Sequence, residues 1–294
     1  MILAGDVGGT KILLEAGEFT SGRWRSFLAR RYMLSEFASM EQVLDAFMEE
    51  WKRVRPPRAR LTHGAIGVAG PCMGNCVTMT NRPWRLNGEK LATHAGLSRL
   101  LLMNDLEAAA HGLDAIPAKD VITYQSGRPD KRGNRVLLGV GTGLGVAYLV
   151  NNRTGVRPKF DPGFTVVAGE GGHVGFSPAT PQQVELWKEL SRTHARVEAE
   201  HVVCGGALER DGVEMFSANL GNVAGDQALN VMATGGVYLC GGVIARIGPS
   251  IKKEVFSAAF AAKGAHASIL MRVPVRAIVN ERIALLGAAR AACS

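Results

Sequence analysis

Three short glycine-rich runs punctuate the chain: Gly8-Gly9-Thr10-Lys11, Gly141-Thr142-Gly143-Leu144-Gly145 and Gly241-Gly242. Glycine lacks a Cβ and tolerates positive φ, so several backbone N–H groups can point at one spot, as a cluster of anionic oxygens requires. Two familiar phosphate motifs fail on spacing. Lys11 follows Thr10 directly, whereas a P-loop places its lysine after glycine, and a dinucleotide fingerprint begun at Gly139 needs glycine where Leu144 stands. Any nucleotide site is therefore of another kind. Asp6 adds a carboxylate that suits Mg²⁺ bridging phosphates, directly or through water, and Thr10 and Thr142 add hydroxyl donors.

A second kind of chemistry lies at 99–113, RLLLMNDLEAAAHGL, where an apolar run ends on Asn104 and Asp105. Asn104 reads as a helix N-cap, with Glu107 completing a capping box and Asp105 in the first turn, where the helix dipole favours negative charge. That accounts for every polar residue without chemistry. The same position keeps a carboxylate ionised and ready to accept a hydroxyl proton. Farther on, Glu170 and His173 stand three apart among glycines in GEGGHVGF. Singly they would be an exposed loop acid and a core histidine; together, downstream of a phosphate-type turn, they read as ligand contacts.

The elements that must hold these residues follow from periodicity. Residues 2–16 form a hairpin around the first glycine run, and 136–150 repeat the design around the second, an internal echo that points to two related domains. Helical spacing of Met40, Val43, Leu44, Phe47, Met48 and Trp51 predicts a helix over 39–54, ended by Pro56-Pro57. A strand pair is expected from 64–70 and 76–81, a strand over 97–103 leading into a helix at 106–113, an amphipathic helix over 182–198, a strand at 235–239 and a helix over 281–292. Strands and helices alternate, so the fold class is α/β with a mixed sheet.

Composition sets the limits. The chain of 294 residues is 47% hydrophobic and 20% charged, an ordinary globular balance apart from its 36 glycines. Its formal net charge of +8 permits a polyanionic partner. The basic residues concentrate, however, in WKRVRPPRAR (51–60) and RPDKRGNR (128–135), which lack stacking aromatics among the charges and read as solvated connections; no nucleic acid partner is expected. No apolar stretch is long enough for a bilayer, and residues 1–6 are unlike a secretory leader, so no membrane partner is expected either. Five cysteines, at 72, 76, 204, 240 and 293, show no disulfide framework, which predicts a reduced cytoplasmic setting.

The motifs also resemble those of a known family. GDVGGTK, GVGTGLG and GGVYLCGG look like the phosphate 1, phosphate 2 and adenosine motifs of ATP-dependent sugar kinases on the actin and hexokinase fold. GVAGP, TMTNRPW, LLMNDLEAAA, GEGGHVGF and EAEHVVCGG follow in the order found in bacterial glucokinases, over nearly the whole chain. The resemblance implies a two-domain actin/hexokinase-like (ribonuclease H-like) fold with a cleft between a small domain at 1–110, on which a helix at about 281–294 packs back, and a large one at 111–280. It implies phosphorylation of glucose at the 6-hydroxyl by ATP and Mg²⁺, with domain closure expelling water.

By that resemblance Asp105 is the catalytic base, and Asn81, Asn104, Asp105, Glu170, His173 and Glu200 hold the sugar. Asp6, Gly8, Gly9, Thr10, Lys11, Gly141, Thr142, Gly143, Gly241 and Gly242 hold MgATP, with Asp6 facing the metal. A homodimer is also implied. Another hexose or amino sugar kinase, or a non-catalytic sugar-binding regulator on the same fold, is the alternative. The Cys-rich loop that follows a comparable histidine in the related ROK kinases is missing, which argues against His173 as a zinc ligand. The stretch between Glu200 and Gly235 is shorter than in bacterial glucokinases, which bears on the adenine side and the dimer surface.

Overall fold

A computed structural model describes residues 1–79, 82–152 and 163–293. The chain divides into two units, one built from Met1–Ile116 with the segment from Arg282 onward, the other from the described residues between Pro117 and Glu281.

The first unit is organised on a sheet of β1 (Ile2–Val7), β2 (Lys11–Thr20), β3 (Arg23–Met33), β4 (His63–Val68) and β8 (Arg99–Asn104), in the order β3-β2-β1-β4-β8. β1 lies antiparallel to β2 and parallel to β4, and β4 is parallel to β8. The central strands carry near-continuous aliphatic runs because both faces are covered. Helix α1 (Met40–Val54) buries Val43, Leu44, Phe47 and Trp51 in the core with Leu3, Leu14 and Ile66.

β3 is not anticipated by periodicity. It lies at the sheet edge, and its arginines at 23, 25 and 31 are exposed, charges that guard an edge against pairing with another chain. The expected strand pair is also corrected. Residues of β4 bond to β1 and β8, whereas β5 (Cys72–Met73), β6 (Cys76–Thr78) and β7 (Arg85–Asn87) make a separate small sheet. Next come α2 (Gly88–Ala95), capped by the Asn87 side chain, and α3 (Asp105–Gly112).

The second unit repeats the plan. Its sheet runs β12-β11-β10-β13-β14-β9, comprising β9 (Val121–Gln125), β10 (Arg135–Val140), β11 (Leu144–Asn151), β12 (Phe164–Gly169), β13 (Gly236–Cys240) and β14 (Val275–Ile278). Helix α4 (Pro181–Leu190) stops eight residues short of the expected end: the Leu190 carbonyl accepts the N–H groups of Thr193 and His194, and the chain turns so that the Val197 carbonyl can accept the Phe176 N–H. Helix α5 (Gly205–Asn230) is broken at Gly212, whose φ of 76° and ψ of 167° are non-helical. Helices α6 (Gly242–Ile247), α7 (Lys253–Ala261) and α8 (Ala267–Leu270) follow; α7 lies so close to α5 that a Cβ at Gly221 or Gly225 would overlap the carbonyls of Phe256 and Phe260.

The last helix, α9 (Ile283–Ala291), belongs to the first unit. Leu285 and Ala289 bury against Ala4 of β1, and a Cβ at Gly287 would overlap the Ala108 carbonyl of α3. Arg282 Nη2 donates to both oxygens of the buried Glu15 carboxylate, at 2.6 and 2.7 Å, and Trp24 Nε1 donates to the same group at 2.7 Å. A buried carboxylate is tolerated when it is hydrogen-bonded and paired in this way.

Candidate active site

In the first unit the site is a pair of carboxylates at the ends of two parallel strands. Asp6 is the fifth residue of β1; its register partner on β4 is Gly67, and that of Gly67 on β8 is Met103. Gly67 is a residue that sequence reasoning missed. A side chain there would overlap the Ala108 methyl and touch the Asp105 Cα, so glycine lets the first turn of α3 sit down on the sheet beside Asp6.

Asn104 braces that turn. Its Oδ1 accepts the N–H groups of Leu106 (2.9 Å) and Glu107 (3.3 Å), and its Nδ2 donates to the Gly70 carbonyl (3.2 Å). The side-chain cap expected at Asn104 is thus present. Glu107 is pushed above the usual carboxylate range, because burial outweighs the pull of the Asn104 backbone N–H.

The two aspartates feel one another. Asp6 is pushed up to about 7, first by burial and then by the Asp105 charge, while the Lys11 ammonium pulls it down. A buried carboxylate whose ionisation a neighbouring carboxylate disfavours suits a cation beside it. Among the described residues no group of three or more His, Cys, Asp or Glu could enclose a metal. Mg²⁺ keeps several waters and takes one or two carboxylates together with phosphate oxygens, a demand that Asp6 with its neighbour Asp105 would meet.

In the second unit three segments converge. At the 141–145 turn the Gly141 N–H donates to the Gly143 carbonyl and the Gly205 N–H to the Gly141 carbonyl, each at 2.9 Å. The Glu200 carboxylate accepts the Leu144 N–H at 2.8 Å and lies where a Gly143 side chain would stand. The GEGGH loop rests on the same strand: a Cβ at Gly172 would overlap the Leu144 carbonyl, and one at Gly171 the Val146 side chain. Helix α5 holds that loop from behind, through Gln227 Nε2 to the Gly171 carbonyl (3.4 Å) and Asn222 Nδ2 to the Ser177 carbonyl (2.8 Å).

His173 and Glu170 are both open to solvent, at 54% and 84% side-chain exposure, with His173 Nε2 4.0 Å from a Glu170 oxygen. The other ring nitrogen, Nδ1, is 2.8 Å from Glu198, a residue to which sequence reading gave no role. That hydrogen bond, more than the charges of Glu200, Glu198 and Glu170, pushes His173 above the ordinary histidine value. Gly141 and Gly242 differ from their neighbours: nothing stands within 4 Å of a Cβ at either, so each leaves an open approach to backbone. Gly241 is obligatory for another reason, a φ of 98° and an overlap with the Val140 carbonyl. Asn81 lies outside the described residues.

The sequence model of the glucokinase family matches residues 3–210 and 206–294. The chain belongs to the glucokinase family. A glucokinase of Sinorhizobium medicae is 31% identical, over 98% of this chain and 91% of its own. Among solved structures, a glucokinase from an Antarctic psychrotroph superposes with a TM-score of 0.83 at 24% identity, over 99% of this chain and 98% of its own. A Balamuthia mandrillaris glucokinase in complex with glucose superposes at 0.74 and 18% identity, over 100% and 93%. The fold is thus the two-domain actin/hexokinase-like one.

The family's two matched stretches meet at 206–210, and the alignment with the Sinorhizobium protein spans 322 positions against a chain of 294 residues, so that relative carries residues this chain lacks. In the structure α5 runs through the junction, broken at Gly212 just beyond it.

Proposed function

We propose that Asp105 is the general base of an ATP-dependent transfer of phosphate to the 6-hydroxyl of glucose, the reaction of the family to which the chain belongs. The observation that carries the assignment is the placement of Asp105 and Asp6 on either side of Gly67 at the mouth of the first sheet, Asp105 on a braced helix start and Asp6 raised first by burial and then by the Asp105 charge. The Asp105 carboxylate accepts the proton of the attacking hydroxyl. Because that proton leaves late in phosphoryl transfer, an orienting acceptor suffices. Asp6 would hold Mg²⁺ brought with the nucleotide, directly or through water, and the ion would supply positive charge against the phosphate.

Each unit contributes its own groups. In the first, the turn at Gly8, Gly9, Thr10 and Lys11, closed by the Gly8 N–H donating to the Lys11 carbonyl, offers the Thr10 hydroxyl and the remaining backbone donors, and the Lys11 charge is felt at Asp6. In the second, Thr142, Gly143, Gly241 and Gly242 present backbone to phosphate and nucleoside, while Gly141, whose own N–H and carbonyl close the turn, leaves open space for the ligand, as Gly242 does. Glu170, His173 and Glu200 take sugar hydroxyls, with Asn104 and Asn81 completing the set from the other segments. Glu200 reaches that role while bonded to Leu144, so it ties the sugar contacts to the phosphate turn.

The proposal extends to a homodimer in the cytoplasm; five cysteines that form no disulfide among the described residues suit a reducing compartment. Light scattering of the purified chain tests the dimer. For the reaction, ADP release is measured with MgATP against glucose, mannose, fructose and N-acetylglucosamine. Glucose is expected to lead. Asp105→Asn is expected to bind glucose while losing turnover; near wild-type turnover in that variant removes Asp105 from the role.

A further inference from the structure

We propose that Glu198 is a positioning residue for sugar recognition: its carboxylate holds His173 by Nδ1 and turns Nε2 outward to meet a hexose hydroxyl. The proposal rests on the reading of His173 as a sugar ligand.

The contact follows from backbone geometry. Residues 174–176 and 197–199 run antiparallel: Gly175 and Glu198 form a bridge, the Phe176 N–H donates to the Val197 carbonyl, and the Ala199 N–H donates to the Val174 carbonyl, both at 2.9 Å. Glu198 has an extended backbone and its own N–H donates to His201 Nδ1 at 3.1 Å, so its position is secured on both sides. From there Oε2 lies 2.8 Å from His173 Nδ1. An ionised carboxylate only accepts, so Nδ1 must carry a proton. Nε2 is then the nitrogen left to a ligand, on the side where Glu170 stands at 4.0 Å.

Charge supports the same arrangement. Glu198, Glu200 and Glu170 surround the ring with negative charge, and Glu198 is itself held below the usual carboxylate range, first by its bond to His173 and then by the ring's charge, His201 and Arg196. Burial opposes the charged ring only in part. With Nδ1–H fixed, Nε2 accepts a hydroxyl proton when the ring is neutral and donates when it is charged, without rotating. An imidazole without Glu198 has to order its ring and choose its tautomer on binding, which weakens the complex.

The test uses the whole enzyme and three variants: E198A, E198Q and H173A. Ring ¹⁵N chemical shifts of His173 are followed against pH in sugar-free enzyme, and steady-state constants are measured for glucose and MgATP. E198A is expected to raise the glucose KM about tenfold, the size of one lost charge-assisted hydrogen bond, while the MgATP KM stays near wild type. Its sugar-free spectrum should lose the Nδ1–H tautomer and titrate at lower pH. E198Q, whose amide oxygen still accepts from Nδ1, should restore most of the KM without restoring the titration. In an H173A background E198A should add nothing.

If E198A leaves both tautomer and glucose KM unchanged while H173A raises the KM, the positioning role is overturned and His173 remains a sugar ligand. If H173A itself leaves the KM unchanged, the sugar role of His173 falls, and this proposal with it.

Discussion

The two sheets share one plan and use it differently. In each, a glycine turn joins two antiparallel strands, a third antiparallel strand flanks them, and two parallel strands extend the other side: β3-β2-β1-β4-β8 and β12-β11-β10-β13-β14. The registers match closely at the turns, Val7 opposite Ile12 in one and Val140 opposite Leu144 in the other. The residue before that pair is Asp6 in the first unit and Gly139 in the second. Its parallel neighbour is Gly67 in the first, beneath Asp105, and Cys240 in the second, leading into Gly241-Gly242. One copy of the scaffold holds charge and the other holds open backbone. On the proposed reading, a duplicated frame supplies two parts of phosphate chemistry, acid–base groups from one copy and backbone N–H donors from the other.

Removing the charge from the first copy should have the largest effect. Asp105→Asn is expected to lower kcat on the order of 10²–10⁴-fold while glucose affinity by calorimetry stays near wild type. An equal loss of stability and turnover would instead reduce Asp105 to a helix-start residue. Next come the close contacts that each copy depends on. Gly287→Ala in the first and Gly172→Ala in the second each force a methyl onto a carbonyl oxygen, and each should destabilise by about 1–3 kcal/mol in a denaturant titration.

Gly141→Ala is the contrasting case. It faces open space, so the melting temperature should hold while the KM for MgATP rises; a stability loss equal to that of Gly172→Ala would erase the distinction between the two kinds of glycine. The last test reads the pH dependence of Asp6. Its folded value of about 7 exceeds the unfolded 3.8, so its contribution to stability is complete below pH 4 and is lost as pH rises through about 7. Melting temperature in metal-free buffer should fall across that window, and Asp6→Asn should flatten the fall.

Local chemistry made much of this legible. The hairpins at 2–16 and 136–150, the cap at Asn104 and the helix at 39–54 all follow from short-range patterns, and the structure contains each of them. What escaped depended on distant partners. β3 alternates arginines with apolar residues on a sheet edge, β6 bonds to β7 instead of β4, and α4 stops because Val197 has a partner at Phe176. In the site, the motifs marked out Asp6, Asp105, His173 and Glu200, but Gly67 and Glu198 act across long sequence separations. A glycine in an apolar strand and a glutamate among charged neighbours carry no local signal of what they touch.

The placement of α9 also governs how the protein is made. β1 leaves the ribosome long before the helix that covers Ala4 and locks Glu15 through Arg282, which is translated more than two hundred residues later. The first sheet must therefore wait, with that face bare, while the intervening unit is synthesised. The unit that carries Asp6 and Asp105 closes only after the intervening unit has been made, and a nascent chain stalled before Arg282 would present that apolar face to chaperones.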